Sequence, residues 1–264
     1  MERETAYYLY CLMPGASVQA SLIGVDGHPP VTVLACEEIG AVLSQVELGE
    51  FCGEAAEARL QDLAWLTPRV LRHETVIEEL MSRTPVLPAR FATLFTSVDS
   101  LRRSVLENRA AITGFFTQLR DKQEWAVKGL LARSEALRMF GSSGEVNLSA
   151  ASPGARYFAE KRLKAQLERD FNLGLKEFCR RAAAALGAQA VAFRERKIVM
   201  PAAAGTAEVV LNWAFLLPPA ALAEFQAGLD LFNGGEAFPG LTLTLTGPWP
   251  AYSFAPDLSA GPQA

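Results

Sequence analysis

The stretch Leu241-Thr-Leu-Thr-Leu-Thr246 alternates apolar and polar residues without a break, and Gly247-Pro248-Trp249-Pro250 follows at once. A period of two is that of a strand with one buried face. Leu241, Leu243 and Leu245 should point to a core, and Thr242, Thr244 and Thr246 away from it. Two prolines in three residues fix the backbone and remove two donors, which predicts that the strand stops at Thr246. Trp249, Tyr252 and Phe254 ride on that stiff support, and are expected to pack against something specific.

Upstream of this strand, residues from about 121 read as one unit. Gln123 to Leu131 alternates as a strand, with Trp125 and Val127 on one face and Glu124, Ala126 and Lys128 on the other. Gly141-Ser-Ser-Gly144 reads as a linker. The stripe Leu163, Leu167, Phe171, Leu175, Phe178 and Ala182 predicts a helix from about Pro153 to Leu186. Gln189 to Arg194 and Glu208 to Leu217 are strands, the second with Val209, Leu211, Trp213 and Phe215 on one face. Pro218-Pro219 opens a helix with Leu222, Phe225, Leu229 and Phe232 inward, and Asn233-Gly234-Gly235 closes it. The order β-α-β-β-α-β is the split arrangement of ferredoxin-like folds. It lays the last strand antiparallel to the first and brings Gly247 to Pro250 near Asp121. Trp249 is therefore expected to brace a junction between two domains.

The first 120 residues differ in character. Ala6 to Leu12, Val18 to Val25, Val31 to Cys36 and Ile39 to Val46 read as strands, the second ending at the turn Asp26-Gly27. Glu54 to Leu66 is helical in composition. Thr67-Pro68 is expected to cap a second helix running through Met81, with Val70, Val76, Ile77, Leu80 and Met81 as its apolar positions and His73-Glu74 on or beside the buried edge. Pro85 and Pro88 stop it. From Ser97, the residues Leu101, Val105, Ile112, Phe115 or Phe116, and Leu119 follow a helical period. The expected fold class is α+β in two domains. Residues 1–120 hold antiparallel strands plus helices, and 121–264 form a modified ferredoxin-like βαββαβ domain ending in the Gly-Pro-Trp-Pro tail.

Half of the 264 residues are hydrophobic and a fifth are charged, as in globular proteins. A net charge of −4 argues against nucleic acid as a partner. Cys11, Cys36, Cys52 and Cys179 stand far apart, and only His28 and His73 supply imidazoles, so no zinc-type spacing forms locally. Free thiols in a reducing cytosol fit that usage. The apolar run Val209 to Ala223 is broken by Asn212 and Pro218-Pro219, and falls short of the roughly 20 residues a membrane-spanning helix needs. A soluble cytoplasmic protein with no cofactor is expected.

Signatures of catalysis are missing from the sequence. It has no G-x-G-x-x-G, no phosphate-binding G-x-x-x-x-G-K-[ST], no G-x-S-x-G and no H-E-x-x-H. His73-Glu74 is half of the last pattern, but Ile77 stands where the second histidine belongs, so His73 reads as structural. Adjacent acids such as Glu37-Glu38 and Glu78-Glu79 point apart. Pro85-Val-Leu-Pro88-Ala-Arg90-Phe91-Ala-Thr-Leu-Phe95 is extended by its prolines, and Phe91 and Phe95 flank an apolar core. Arg90 fits two roles, a bidentate carboxylate ligand or a contact at a buried edge.

Three segments, Pro85 to Phe95, Glu124-Trp125-Ala126-Val127-Lys128 and Leu245 to Phe254, carry a resemblance along almost the whole chain. With Tyr7 to Cys11, His73-Glu74 and Ser152-Pro-Gly154-Ala-Arg-Tyr157, they resemble the gas vesicle protein F/L (GvpF/GvpL) family. The residues that carry the match are Pro88, Arg90, Phe91, Phe95, Glu124, Trp125, Lys128, Gly154, Tyr157, Gly247, Pro248, Trp249, Pro250, Tyr252 and Phe254. The family commonly has glycine where this chain has Ala92 and Ala126, and an alanine is expected to hold φ below zero there. The resemblance implies two α+β domains and no enzymatic activity. It further implies an accessory or minor structural protein of gas vesicles that contacts the very hydrophobic shell protein, and other accessory proteins, during assembly. Helix-in-groove docking or strand addition could serve such contacts, with the long helix and the threonine face as candidate surfaces. The same helix stripe also reads as ordinary core. A ferredoxin-like fold equally hosts small-molecule binding or catalysis, so fold alone does not choose.

Overall fold

The computed structural model describes residues 4–16, 22–28, 30–141, 153–198, 207–235 and 237–258. The chain divides into two compact units, Met1–Lys122 with Trp249–Ala264, and Gln123–Pro248. The tail from Trp249 thus groups with the first unit, whereas the sequence pattern assigns it to the second.

In the first unit, strands β1 (Thr5–Pro14), β2 (Thr32–Cys36) and β3 (Ile39–Glu47) precede helices α1 (Leu48–Phe51), α2 (Glu54–Gln61) and α3 (Leu63–Met81). The short strands β4 (Leu87–Pro88) and β5 (Leu94–Phe95) follow, then α4 (Val98–Glu107) and α5 (Arg109–Leu119). The sheet runs β2-β3-β1-β4 with β5 also on β1, every pair antiparallel. β1 is central because it is apolar throughout, and it is buried from Ala6 to Met13 apart from half-buried Tyr7. The register slips between Leu9 and Cys11, so Tyr10 is an extra residue on β1. Tyr8, Tyr10, Cys11 and Met13 accordingly all join the core under α3, with Val76, Ile77 and Leu80.

Local expectations fail at three places here, and a fourth is only partly described. The expected strand Val18 to Val25 falls partly outside the described residues, and Ile23 makes only an isolated bridge to Pro30. Thr67-Pro68 does not cap a helix. Asp62 is the cap, accepting from the Ala64 N–H at 2.9 Å, and Pro68 lies inside α3. An acid five residues earlier satisfies the orphan donor, so the helix starts before the proline and runs through it. The helix from Ser97 breaks at Asn108 into α4 and α5, yet its whole stripe is buried. Glu54 to Leu66 is likewise two helices rather than one.

In the second unit, β6 (Gln123–Leu131) leads to α6 (Arg133–Gly141), which the sequence did not announce, and to α7 (Pro153–Gly187). Then come β7 (Ala192–Glu195), β8 (Glu208–Leu217), a 3-10 turn (Pro219–Ala221), α8 (Leu222–Asn233) and β9 (Leu241–Trp249). The sheet order is β7-β8-β6-β9. One face takes Phe171, Phe178, Ala182 and Leu186 of α7 and Phe225, Leu229 and Phe232 of α8 onto Val127, Leu211, Trp213, Phe215, Leu241 and Leu243. Each such large side chain contributes roughly 1.5–3 kcal/mol. A bulge opposite Gly129 shifts β8, so Val210 rather than Val209 packs against that core. The α7 stripe becomes core only from Phe171, and Leu163 is exposed.

β9 keeps the alternation, with Leu241 and Leu243 buried and Thr242 and Thr244 exposed. It does not stop at Thr246 but continues through Gly247 and Pro248 to Trp249. β9 is an edge strand, so a missing N–H can face outward without breaking the ladder. Gly247 has φ +138, and a Cβ there would lie 3.1 Å from the Glu124 carbonyl oxygen and from the Trp125 ring.

Candidate functional site

The most developed polar cluster lies in the first unit. β1 supplies Tyr8 and Tyr10, α3 supplies His73 and Glu74, and the tail supplies Tyr252. His73 is one helical turn from Val76 and Ile77 and two from Leu80, so it faces the core and is fully buried. Its Nδ1 lies 2.9 Å from the Tyr8 hydroxyl. Its Nε2 lies 3.1 Å from the Ala89 carbonyl oxygen and 3.2 Å from the Tyr252 hydroxyl. A carbonyl only accepts, so Nε2 carries the proton and Nδ1 accepts from Tyr8. The Tyr8 oxygen in turn accepts the Ala92 N–H at 3.1 Å. Tyr252 donates to Glu74 Oε1 at 3.0 Å. Beside this chain of bonds, Tyr10 accepts the Val25 N–H at 2.6 Å and bonds Ser44 Oγ at 2.8 Å.

Burial sets the protonation states. It lowers the pKa of His73 to about 4, against the small opposing pull of its bond to Ala89, so the ring is neutral at pH 7. It raises the Tyr8 and Tyr252 hydroxyls well above the usual tyrosine range. Burial also raises the Glu74 carboxyl, which the Tyr252 bond partly offsets. Tyr10 stacks on the imidazole with ring centroids 5.8 Å apart, and Tyr8 and Phe91 meet it edge-on. A neutral ring with both nitrogens bonded inside the protein organises its surroundings and presents no free base to a substrate.

A groove of about 360 Å³ opens beside this cluster. Leu9 and Leu12 of β1, Leu87, Val105 of α4 and Leu258 of the tail form apolar walls, and the Tyr252 ring reaches it from the polar cluster. Pro88 and Arg90 also line it. Arg90 is exposed, and its guanidinium has no carboxylate or carbonyl partner among the described residues.

The residues that carry the resemblance do not converge. Pro88, Arg90, Phe95 and Tyr252 meet at the groove, while Phe91 packs in the aromatic cluster. Phe254 and Pro250 are buried in the tail, and Trp249 is 42% exposed. In the second unit, Glu124 is fully buried and paired with Arg196. Trp125 is half-buried against the core, and Lys128 is exposed on β6. Gly154 lies in the first turn of α7, and Tyr157 stands exposed nearby against Phe158. Pro248 is exposed on β9, and Gly247 fits against Trp125. Ala92 overturns its expectation. Its φ is +62, the left-handed region, because the turn must aim its N–H at Tyr8. Ala126 sits in a regular strand opposite Ala214. Tyr8, Tyr10 and Ser44 form no local motif, and their only signal is a pair of tyrosines in an apolar strand. Among the described residues no cluster of His, Cys, Asp and Glu is placed to hold a metal, and no helix is long and apolar enough to cross a membrane.

Fold and site together define a two-unit α+β protein, with two antiparallel sheets and a tail pinned into the polar cluster of the first unit. Over residues 6–256 the chain matches the family described as gas vesicle synthesis protein GvpL/GvpF. It is 30% identical over 234 residues to gas vesicle protein L of Streptomyces sp. (strain CB03234), covering 88% of this chain and 85% of that one. The crystal structure of gas vesicle protein GvpF from Anabaena sp. PCC7120 is similar with a TM-score of 0.69 at 16% identity, over 96% of each chain. That of GvpF from Microcystis aeruginosa gives 0.66 at 16% identity, over 95% of this chain and 99% of that one. The chain belongs to the gas vesicle GvpL/GvpF family.

Proposed function

We propose that this protein is an accessory or minor structural protein of gas vesicles that binds the hydrophobic shell protein and is needed for vesicle assembly. The observation that carries this reading is the family match over residues 6–256, whose description names gas vesicle synthesis. The physical need is clear. A shell protein apolar enough to exclude water aggregates unless its apolar segments are held before they assemble. This chain offers apolar surface for that task, both in the groove of the first unit and on α7, where Tyr157, Phe158, Leu163 and Leu173 are exposed. The protein works in the cytoplasm and at the vesicle, with the shell protein and other accessory proteins as partners. It acts by binding rather than by catalysis, in keeping with a histidine whose nitrogens are both engaged.

The second unit is read as a modified ferredoxin-like βαββαβ domain. Its strands stand in the order second-third-first-fourth, as that split arrangement requires, and α6 is the added element. Co-expression with the shell protein followed by pull-down tests the function, and a complex is the expected result. Failure to recover one, together with normal vesicles in a deletion strain, would refute it.

A further inference from the structure

The sheet of the second unit ends on two unlike edges. β7, at one side, is only 4 residues long and carries Arg194 and Glu195. A short, charged edge is a poor template for another strand. β9, at the other side, is 9 residues long and has no charged residue. Its residues 241–246 alternate leucine and threonine without charge or proline. That composition pairs with further strands wherever its edge lies open.

One side chain stands in that opening. Asn233, the last residue of α8, accepts the Leu243 N–H on its Oδ1 at 2.8 Å and donates from its Nδ2 to the Leu243 carbonyl at 2.8 Å. Only one orientation of the amide satisfies both groups. In a ladder the N–H and carbonyl of one residue point to the same side, and residues two apart share it. Leu243 therefore turns both groups away from β6, and Leu241 and Leu245 face the same way. The Leu241 N–H is taken by the Phe238 carbonyl at 3.1 Å. The exposed carboxamide of Asn233 thus occupies the place of a peptide group in a neighbouring strand.

We propose that Asn233 is a strand-blocking clamp, which keeps the β9 edge from pairing with the β9 edge of a second copy of this chain. The alternation makes a second copy the fitting occupant. Antiparallel pairing about Leu243 sets Leu241 opposite Leu245 and Thr242 opposite Thr244 of the other copy. Leucines then meet leucines and threonines meet threonines, as a two-fold contact requires. With the clamp in place, Leu243 cannot give its two central bonds to that pairing. Nothing in this arrangement depends on the shell protein.

The full-length chain is compared as wild type, Asn233→Ala, and Asn233→Ala combined with Thr244→Lys. Sedimentation velocity over a range of concentrations reads self-association, and residue-level hydrogen exchange reads the edge itself. In wild type the Leu243 amide should exchange far more slowly than the Leu245 amide. Equally fast exchange at both would mean that no clamp forms, and overturns the proposal. Asn233→Ala should strengthen self-association by roughly tenfold or more, because two backbone groups become free to bond another strand. The Leu243 and Leu245 amides should then gain protection as concentration rises. Thr244 is exposed, so lysine there should fold, and like charges brought together across the pairing axis should return self-association to the wild-type level. The same two bonds also tie α8 to β9, so thermal melting and circular dichroism are followed for each variant. A folded Asn233→Ala that associates no more than wild type overturns the clamp. If Asn233→Ala unfolds, or if its association survives Thr244→Lys, Asn233 is only a tie between α8 and β9 and the proposal falls.

Discussion

Ala92 holds a left-handed backbone with φ +62, a conformation that costs an L-residue roughly 1–2 kcal/mol. The turn keeps it because the Ala92 N–H must reach the Tyr8 hydroxyl that bonds His73. Ala92→Gly removes the steric cost and loses some of it again to the freer unfolded chain. Urea unfolding should show a gain of about 0.5–1 kcal/mol. His73 gives a pH dependence of defined sign. Its folded pKa of about 4 lies below the ordinary 6.5, so between these values the unfolded chain binds the extra proton. Its stabilisation is complete above pH 6.5 and is lost as pH falls toward 4, by roughly 3 kcal/mol in all. Glu74 acts in the opposite sense. Its carboxyl is raised in the fold, so its contribution weakens as pH rises above 4.5 and offsets part of the His73 effect. Denaturation at about pH 7 and about pH 5 should show the net fall, and His73→Gln should flatten it while lowering stability at neutral pH.

Elements follow local rules until a distant residue overrides them. Gly40 of β3 is a case where space decides, because a Cβ there would collide with the Gly15 carbonyl oxygen. Backbone cannot give way as a side-chain tip can. Gly40→Ala should therefore destabilise the first unit by roughly 3 kcal/mol or more, read from its thermal midpoint. What was legible in the sequence was periodic. The leucine/threonine alternation and the α8 stripe stand as read, and the strand Glu208–Leu217 keeps its bounds although the bulge puts Val210 rather than Val209 on the core. Pro68 misled because a proline looks like a helix start, and Asp62, earlier in the chain, had already made one. Pro248 misled because its tolerance depends on β9 lying at an edge, and strand order is a property of the whole sheet. The polar cluster was illegible for a similar reason. Tyr8 and His73 are 65 residues apart, and His73 and Tyr252 are 179 apart, so no spacing within one element joins them. His73-Glu74 was visible as a pair, but its partners were not.

At the scale of the molecule, the first unit is discontinuous and the second is a single run of chain. Removing everything after Pro248 deletes Tyr252, which bonds both His73 and Glu74, together with buried Phe254. Hydrogen exchange on that truncation should show α3 and β1 losing protection while residues 123–248 keep theirs. Equal loss in both units would count against the separation. The closure of the first unit by Tyr252 also has a temporal side. A ribosome makes the chain from its N-terminus, and nascent domains fold as they emerge. The polar cluster lacks a member until Tyr252 has left the exit tunnel, and the groove lacks a wall until Leu258 follows. The groove therefore takes its final shape only after the segment around Leu258 has been made and has closed the wall beside Leu9 and Leu12.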